Sequence, residues 1–161
     1  MTVTTPRVSP DEQHTQHTPD TQDGKGASKG LDWLLQDFLS RVPRTFGALL
    51  SSRDGLRLAV AGVEVDKADT LSAISSGLHA LGRGLGELKS GRQGVRQILI
   101  EHDEVLLCVM AGGRGSLLSV AAELDADVRM IGHEMTRLVT RVDEHLAVGA
   151  RADASASEAG V

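Results

Sequence analysis

The sequence predicts an α+β fold in which one five-stranded antiparallel sheet is flanked by three helices, in the order α-β-β-α-β-β-β-α. Three features of the sequence support this prediction. Apolar residues recur at helical spacing in three segments, short apolar runs of strand-like composition lie between these segments, and turn signals join neighbouring runs. Strands that are joined by hairpins favour a single antiparallel sheet with helices packed on its faces.

The first three elements are a helix and a hairpin. A helix is predicted over residues 31–42, where apolar residues recur at helical spacing and Pro43 ends the run. Two strands follow, with the sequences TFGALLSS and LRLAVAG. Residues 53–55, Arg-Asp-Gly, lie between them, and an Asp-Gly pair predicts a hairpin because glycine supplies the positive φ that the turn needs.

The second helix is predicted over residues 66–89, and two stripes run along it. The leucine stripe consists of bulky residues at alternating steps of three and four, namely Leu71, Ile74, Leu78, Leu81, Leu85 and Leu88. The small-residue stripe lies about 100° around the helix and consists of Ala73, Gly77, Ala80 and Gly84. A helix with two such stripes is expected to have two packing faces.

Three strands and a helix complete the predicted domain. The strands VRQILIEH, VLLCVMAG and SLLSVAA are expected to form a meander, with residues 103–104 and 112–115 in the turns. The last helix is predicted from apolar residues that recur at helical spacing from Leu124 to Leu146. Asp125 and Asp127 are well placed for its N-terminus, where carboxylates are favourable.

The chain of 161 residues is expected to form one domain, residues 30–146, between two disordered tails, residues 1–29 and 147–161. A net charge of -5 and an aromatic content of 2% argue against nucleic acid as a partner, because the chain offers neither a basic field nor rings on which bases stack. The first residues contain no apolar signal-peptide segment, and a single cysteine fits a reducing compartment. A cytoplasmic location is therefore expected.

Three segments carry a resemblance to a known family. Their sequences are GALLSSRDGLRLAVAG, DTLSAISSGLHALGRGLGEL and VRQILIEHDEVLLCVMAGGRGSLLSVAAELDADVRMIGHEMTRLV. Over residues 31–146 the chain resembles the roadblock/dynein-light-chain domain in its bacterial, actinomycete-type form. The resemblance implies a homodimer in which the sheets join edge to edge and the central helices pack together. It further implies a non-catalytic adaptor or regulator of a small Ras-like GTPase in a signalling assembly, with a sensor-kinase-like protein as a further partner. Recruitment to the membrane through a partner is expected as well.

Two surfaces of the central helix are candidate interaction sites. We interpret the small-residue stripe as the dimer seam, because a glycine inside a helix costs about 1 kcal/mol relative to alanine and several of them call for a reason. The alternative is that this stripe lets the helix lie closely on its own sheet. The face opposite the leucine stripe is the candidate surface for the GTPase, with an ordinary solvated face as its alternative; it carries Ser72, Ser75, Ser76, His79, Arg83 and Glu87. The acidic last helix, with Glu134, Asp143 and Glu144, is a second candidate.

The sequence predicts no enzyme, cofactor or metal site. Cys108 lies in the middle of a strand, where a small buried hydrophobe is the expected role, and the histidines have no zinc-binding spacing. Arg114 lies between glycines and is interpreted as an exposed hairpin residue, with an arginine finger acting on the GTPase as the alternative. A small-molecule sensor remains the alternative function, because modules of this size often enclose a ligand pocket.

Overall fold

The computed structural model of the protein describes residues 24–89, 91 and 94–158, with side chains described between residues 31 and 147. Its helices and strands are α1 (Gly24–Arg41), β1 (Thr45–Ser52), β2 (Arg57–Ala61), α2 (Val65–Arg83), β3 (Gln97–Glu101), β4 (Leu106–Ala111), β5 (Ser116–Ala122) and α3 (Val128–Glu158). The predicted fold class and the predicted order of elements are confirmed.

All five strands form one antiparallel sheet in the order β2-β1-β5-β4-β3. The central pair, β1 and β5, is the longest, with Thr45 opposite Ala122 at one end and Ser52 opposite Ser116 at the other. The β1–β2 hairpin turns through Gly55, whose φ of 88° is the positive value that the Asp-Gly pair predicts. In this strand order β5 is the central strand of the sheet and β3 is an edge strand.

The larger core lies between one face of the sheet and the helices α1 and α3. Alternate residues of the strands point into it, among them Leu50, Cys108 and Val120, and they meet Phe38 of α1 and Ile131 of α3. All five side chains are fully buried. Cys108 thus has the position expected of a small hydrophobe, and burial raises the pKa of its thiol.

Helix α2 alone covers the opposite face of the sheet. It begins beside β2, and its C-terminal turn reaches the segment that leads into β3. A Cβ atom on Gly82 would lie only 3.2 Å from Cγ2 of Val95, so the helix packs closely on the segment before β3. The C-terminal end of α2 therefore lies next to the edge strand β3.

Helix α2 ends earlier than predicted. Its α-helical part stops at Arg83, and the chain continues as a 3₁₀ helix over Gly84–Leu88, whereas the prediction extended the α-helix to residue 89. Gly84 and Gly86 lie in this segment. Because glycine has a low helix propensity, the tighter and weaker 3₁₀ turn takes over there.

The outer helices extend further than predicted. Helix α1 begins at Gly24 and α3 runs to Glu158, so residues 24–29 and 147–158, which were predicted as parts of the tails, are helical. A helix that packing has already nucleated adds further residues at little cost, especially alanines, and these residues need no apolar pattern. Residues 1–23 and 159–161 lie outside the described residues, and for them the tails stay a prediction.

Helix α3 begins at one of the two predicted aspartates. Oδ1 of Asp127 accepts hydrogen bonds from the backbone N–H groups of Arg129 at 2.9 Å and Met130 at 3.2 Å, so Asp127 caps the helix. Asp125 instead forms an ion pair with Arg44, which follows α1. Asp127 therefore caps α3, whereas Asp125 joins the segment before α3 to the segment after α1.

Charged side chains join α1 to α3 across the surface of the larger core. Oδ2 of Asp37 accepts hydrogen bonds from Arg141 at 2.9 Å and from Arg41 at 3.3 Å, and Arg41 also donates to Glu134 at 2.9 Å. The hydrogen bond from Arg141, and after it the one from Arg41, holds the pKa of Asp37 below its ordinary value. The guanidinium of Arg141 also lies 5.6 Å from the centre of the Trp33 ring. Because these ion pairs are partly exposed, each contributes little to the free energy of unfolding, and their main effect is to orient α1 and α3.

Gly62 provides a test of the described backbone. Its φ is 74°, and a Cβ atom there would overlap the carbonyl oxygen of Phe46. We expect Gly62→Ala to lower the free energy of unfolding by about 2–4 kcal/mol, because both the strain and the overlap must be relieved. Gly94→Ala is the control, since nothing lies within 4 Å of its Cβ position, and we expect it to change stability by less than about 0.5 kcal/mol. Urea denaturation gives the free energy of unfolding of both variants. Equal losses of stability would contradict the backbone conformation described at Gly62.

Candidate interaction surface

The face of α2 that rests on the sheet is mainly polar. The residues buried there are Ala68, Ser72, Ser75 and His79. Ser119 of β5 donates a hydrogen bond from its Oγ to Oγ of Ser75 at 2.7 Å, and both side chains are fully buried. A polar contact thus anchors the middle of α2 to the central strand of the sheet.

The sheet itself explains why this face is polar and small. On this face the central strands alternate leucines with serines, namely Leu49 and Ser51 on β1 and Leu117 and Ser119 on β5, so that the serines leave room for the helix. A bulky helix face would hold α2 away from these strands and leave a gap, which would lose packing contacts. The close approach therefore selects alanine and serine on the helix.

The predicted partner surface on α2 needs correction at three positions. Ser72, Ser75 and His79 are buried between helix and sheet, so the prediction that they form an exposed docking surface is wrong. Of the other three predicted residues, Ser76 is half-buried, whereas Arg83 and Glu87 are exposed. The prediction placed these residues opposite the side of α2 that packs inward, but the polar face that carries Ser72, Ser75 and His79 is the one that lies on the sheet.

The leucine stripe divides between the sheet and the surface. Leu71 and Leu78 are half-buried against a smaller core on this face of the sheet, which contains Leu107, Val109 and Leu117. The other four members of the stripe are exposed, and among them Leu81 is 77% and Leu85 67% accessible. Single exposed leucines are ordinary, but these four follow one another along α2 and the 3₁₀ helix that continues it, and together they form an apolar surface.

The small-residue stripe also faces away from the sheet. Nothing lies within 4 Å of a Cβ atom built on Gly77 or Gly84, and Ala73 and Ala80 are exposed. The alternative in which this stripe packs on its own sheet is therefore wrong. We define the outer face of α2 as this stripe together with the exposed leucine-stripe residues Ile74, Leu81, Leu85 and Leu88.

Strand β3 is a free edge next to this outer face. No other described strand pairs with its outer side, so its outward N–H and C=O groups are available to another strand. Leu99 in its middle is 47% exposed, and Ile98 and Ile100 are half-buried. A Cβ on Gly82 would lie 3.6 Å from Cδ1 of Ile98, so the end of α2 packs against this edge strand.

His79 is the titratable group of the buried contact between α2 and the sheet. Burial, and then the positive charges of Arg53 and Arg83, lower the pKa of His79 below its ordinary value. The imidazole is therefore neutral in the folded chain at neutral pH. Two further hydroxyls of this contact, Oγ of Ser51 and Oγ of Ser72, are buried without a hydrogen-bond partner.

The remaining predicted groups lie apart from one another. Arg114 is exposed in the loop between β4 and β5, Glu134 pairs with Arg41, and Asp143 is half-buried beside Gly113. Within the described residues, no three His, Cys, Asp or Glu side chains are close enough together to hold a metal ion. Among the same residues, no helix has the length and apolar character needed to cross a membrane.

A groove between β3 and α3 bears on the sensor alternative. It has a volume of about 480 Å³ and is lined by residues that include Gln97, Met110, Gly132 and Thr136. The groove is open to solvent along one side. It therefore differs from the enclosed pocket that usually buries most of a small ligand.

Known proteins share this sequence pattern and this fold. The Roadblock/LC7 domain family matches residues 31–122. A solved Roadblock/LC7 domain from Streptomyces avermitilis is 43% identical, with a TM-score of 0.67 over 72% of this chain and 97% of that one. A second structure of this domain from the same organism is 33% identical, with a TM-score of 0.57 over 69% of this chain and 96% of that one. The gliding protein MglB of Thermus thermophilus is 20% identical, with a TM-score of 0.65 over 74% and 90% of the two chains, and shares the fold. Among proteins with curated descriptions, none matches.

We expect acidification to destabilise the fold through His79, which is only 5% exposed. Because its pKa is lowered from 6.5 in the folded chain, the unfolded chain binds a proton at a higher pH than the folded chain does. The free energy of unfolding must then fall as the pH drops below about 6.5 and level off below the folded-state pKa. Urea denaturation at a series of pH values measures this slope.

His79→Gln should reduce that pH dependence. His133 is exposed on α3, so His133→Gln is the control and should leave the slope unchanged. If both variants keep the wild-type slope, another group is responsible for the pH dependence.

Proposed function

Because the chain belongs to the Roadblock/LC7 domain family, we propose that it is a non-catalytic, dimeric adaptor of a small Ras-like GTPase in a cytoplasmic signalling assembly. The observation that carries this proposal is the outer face of α2, an apolar surface that the fold turns away from its own sheet.

A second copy of the chain is the occupant that best fits the outer face. Burying an exposed leucine contributes about 1.5–3 kcal/mol, and Leu81 and Leu85 are more than half accessible. Gly77 and Gly84 lie two helical turns apart and have open space above them, so a second helix can approach closely. In a two-fold dimer the same surface is used twice, and α2 then packs on α2 of the second copy.

The edge strand supports the same arrangement. β3 lies beside the end of α2, so a two-fold axis that pairs the helices also brings the two β3 strands together. Antiparallel pairing of these strands would satisfy the free backbone groups of both edges and cover Leu99. The two sheets would then join edge to edge, as the family resemblance implies.

The GTPase is proposed to bind beside the paired α2 helices. Arg83 and Glu87 are exposed near the end of α2 and flank the outer face. In a dimer these residues occur twice around a broad surface, which gives a protein partner both charged and apolar contacts. A sensor-kinase-like protein is proposed as a further member of the assembly, and its binding would recruit the adaptor to a membrane.

The proposed dimer is tested by the solution mass. We expect a mass of about 34 kDa by light scattering, twice the 17.0 kDa of one chain, because the outer face is buried between two copies. Leu81→Glu should shift the protein to monomer, since a carboxylate in this contact would lose its hydration. Leu56→Glu is the matched control, because Leu56 is 65% exposed in the β1–β2 turn and should leave the dimer intact.

The double variant Gly77→Leu, Gly84→Leu tests the small-residue stripe separately. It should also give a monomer, because two leucines would force the helices apart. A wild-type chain that is monomeric at tens of micromolar would contradict the dimer. If Leu81→Glu gives a monomer but the double glycine variant stays dimeric, the contact is made by the leucines and not by the small-residue stripe.

The proposed GTPase contact is tested by binding. A labelled small Ras-like GTPase from the same organism, loaded with GDP or with a GTP analogue, is titrated with the dimer and followed by fluorescence anisotropy. We expect Glu87→Arg to weaken binding by about fivefold or more, because it reverses a charge at the rim of the contact. Glu104→Arg, at the opposite end of the sheet, should bind like wild type.

Phosphate release in the same mixtures then shows whether the chain stimulates hydrolysis or only recruits the GTPase. If neither nucleotide form binds to the dimer, the GTPase part of the proposal is contradicted while the dimer can still stand.

A further inference from the structure

The two edge strands of the sheet, β2 and β3, differ in how their backbone groups are bonded. Both are five residues long, so length does not distinguish one edge from the other. In β2 the backbone N–H of Val60 donates a hydrogen bond to Oδ1 of Asp32 in α1 at 2.9 Å. Among the described residues, no side chain makes such a bond to the backbone of β3. A carboxylate therefore occupies one edge of the sheet and not the other.

The N–H of Val60 faces away from the sheet. β2 pairs only with β1, where Val60 lies opposite Leu49. In an antiparallel pair, alternate residues direct their N–H and C=O groups towards the neighbouring strand, and the residues between them direct these groups outward. An N–H that donates to α1 is one of the outward groups. Asp32 thus accepts a hydrogen bond that a strand added to β2 would need.

The packing of α1 holds Asp32 at this edge. Asp32, Leu35 and Leu39 lie on one side of the helix, because they are three and four residues apart. Leu35 is fully buried in the larger core. Cδ1 of Leu39 would lie 2.8 Å from a Cβ atom on Gly62, the residue that follows β2. The side of α1 that carries Asp32 therefore packs along β2.

Without Asp32, β2 would be a suitable template for another strand. Leu58 in β2 is 36% exposed, and Leu56 just before it is 65% exposed. A proline or a charged residue in the middle of an edge strand protects it from pairing, and β2 has neither, because its only charged residue is Arg57 at its start. The charge that protects this edge comes instead from α1.

Closure of the β2 edge determines how many chains can assemble. In the proposed dimer the two β3 strands pair, so both outer edges of the joined sheet are β2 strands. If β2 could pair as well, each dimer would add a further dimer at either end, and the sheet would grow without closing. A finite dimer therefore needs one closed edge in each chain.

We propose that Asp32 closes the β2 edge and so restricts pairing with a second copy of the chain to β3. A strand that approached β2 would have to displace the carboxylate from the N–H of Val60, and burying that carboxylate without a hydrogen-bond partner is unfavourable. The inference goes beyond the proposed function, and it rests on the proposed dimer only for the mass expected of the wild-type chain.

The test compares the mass of the whole chain and its variants by light scattering at a series of concentrations. The wild type should stay at about 34 kDa, twice the 17.0 kDa of one chain. Asp32→Ala should form assemblies of about four or more chains that grow with concentration, because its β2 edge is open. Asp54→Asn is the matched control and should keep the wild-type mass. It removes the same charge at an exposed position, and an Asn-Gly pair suits the hairpin turn as well as Asp-Gly does.

A second variant separates strand pairing from loss of structure. Val60→Pro, added to Asp32→Ala, removes the N–H that a new strand would use, and proline is tolerated on an edge strand where its nitrogen faces outward. The double variant should return to the wild-type mass. Trp33 is the only tryptophan and lies beside Arg141 of α3, so its fluorescence reports whether α1 stays in place. Its emission maximum should be the same in all variants.

Each of four results would overturn the inference. Asp32→Ala could keep the wild-type mass, or Asp54→Asn could assemble equally, which would make net charge responsible. Assembly that persists in the double variant would place the contact on another surface. A shifted Trp33 emission in Asp32→Ala would mean that Asp32 anchors α1 instead of closing the edge. A monomeric wild type would contradict the proposed dimer alone, because Asp32→Ala would still have to exceed the wild-type mass.

Discussion

The contact between α2 and the sheet decides which residues the molecule presents to its surroundings. β1 and β5 place small residues beneath the helix, and Ser75 bonds to Ser119 there, so only the small and polar face of α2 can lie close to the strands. The exposed leucines have to face away, because they share the helix with that polar face. One packing constraint at the centre of the sheet thus determines the apolar surface outside it.

The same contact contains buried polar groups, whereas the larger core between the sheet, α1 and α3 is built from apolar side chains. Two of its hydroxyls, on Ser51 and Ser72, are buried without hydrogen bonds, and such groups cost about 1–3 kcal/mol each. His79 adds a group that must stay neutral between two positive charges. Burial of the outer face by a second copy would offset these costs, so folding and association of this chain are expected to be coupled.

The sequence was sufficient for the order of the elements but not for the orientation of α2. β1 and β5 have the predicted limits, because turn residues and polar residues bound their apolar runs. The leucine stripe, however, indicates only that α2 is amphipathic, and which side meets the sheet depends on Ser51 and Ser119. β1 and β5 are neighbours in the sheet yet distant in sequence, and Asp32 and Val60 are likewise residues that only the fold brings together. The small residues that alternate in TFGALLSS and SLLSVAA were the available signal.

The free edge of β3 makes this chain vulnerable when it is scarce rather than when it is abundant. An unpaired strand that carries Leu99 is a template for pairing with foreign chains as well as with its own kind. In the proposed dimer the two β3 edges cover each other, and because dimer formation is favoured by concentration, dilution would expose them, whereas for many proteins crowding is the hazard. A cell would limit exposure of the β3 edge by keeping the concentration of the chain high or by synthesising its copies close together.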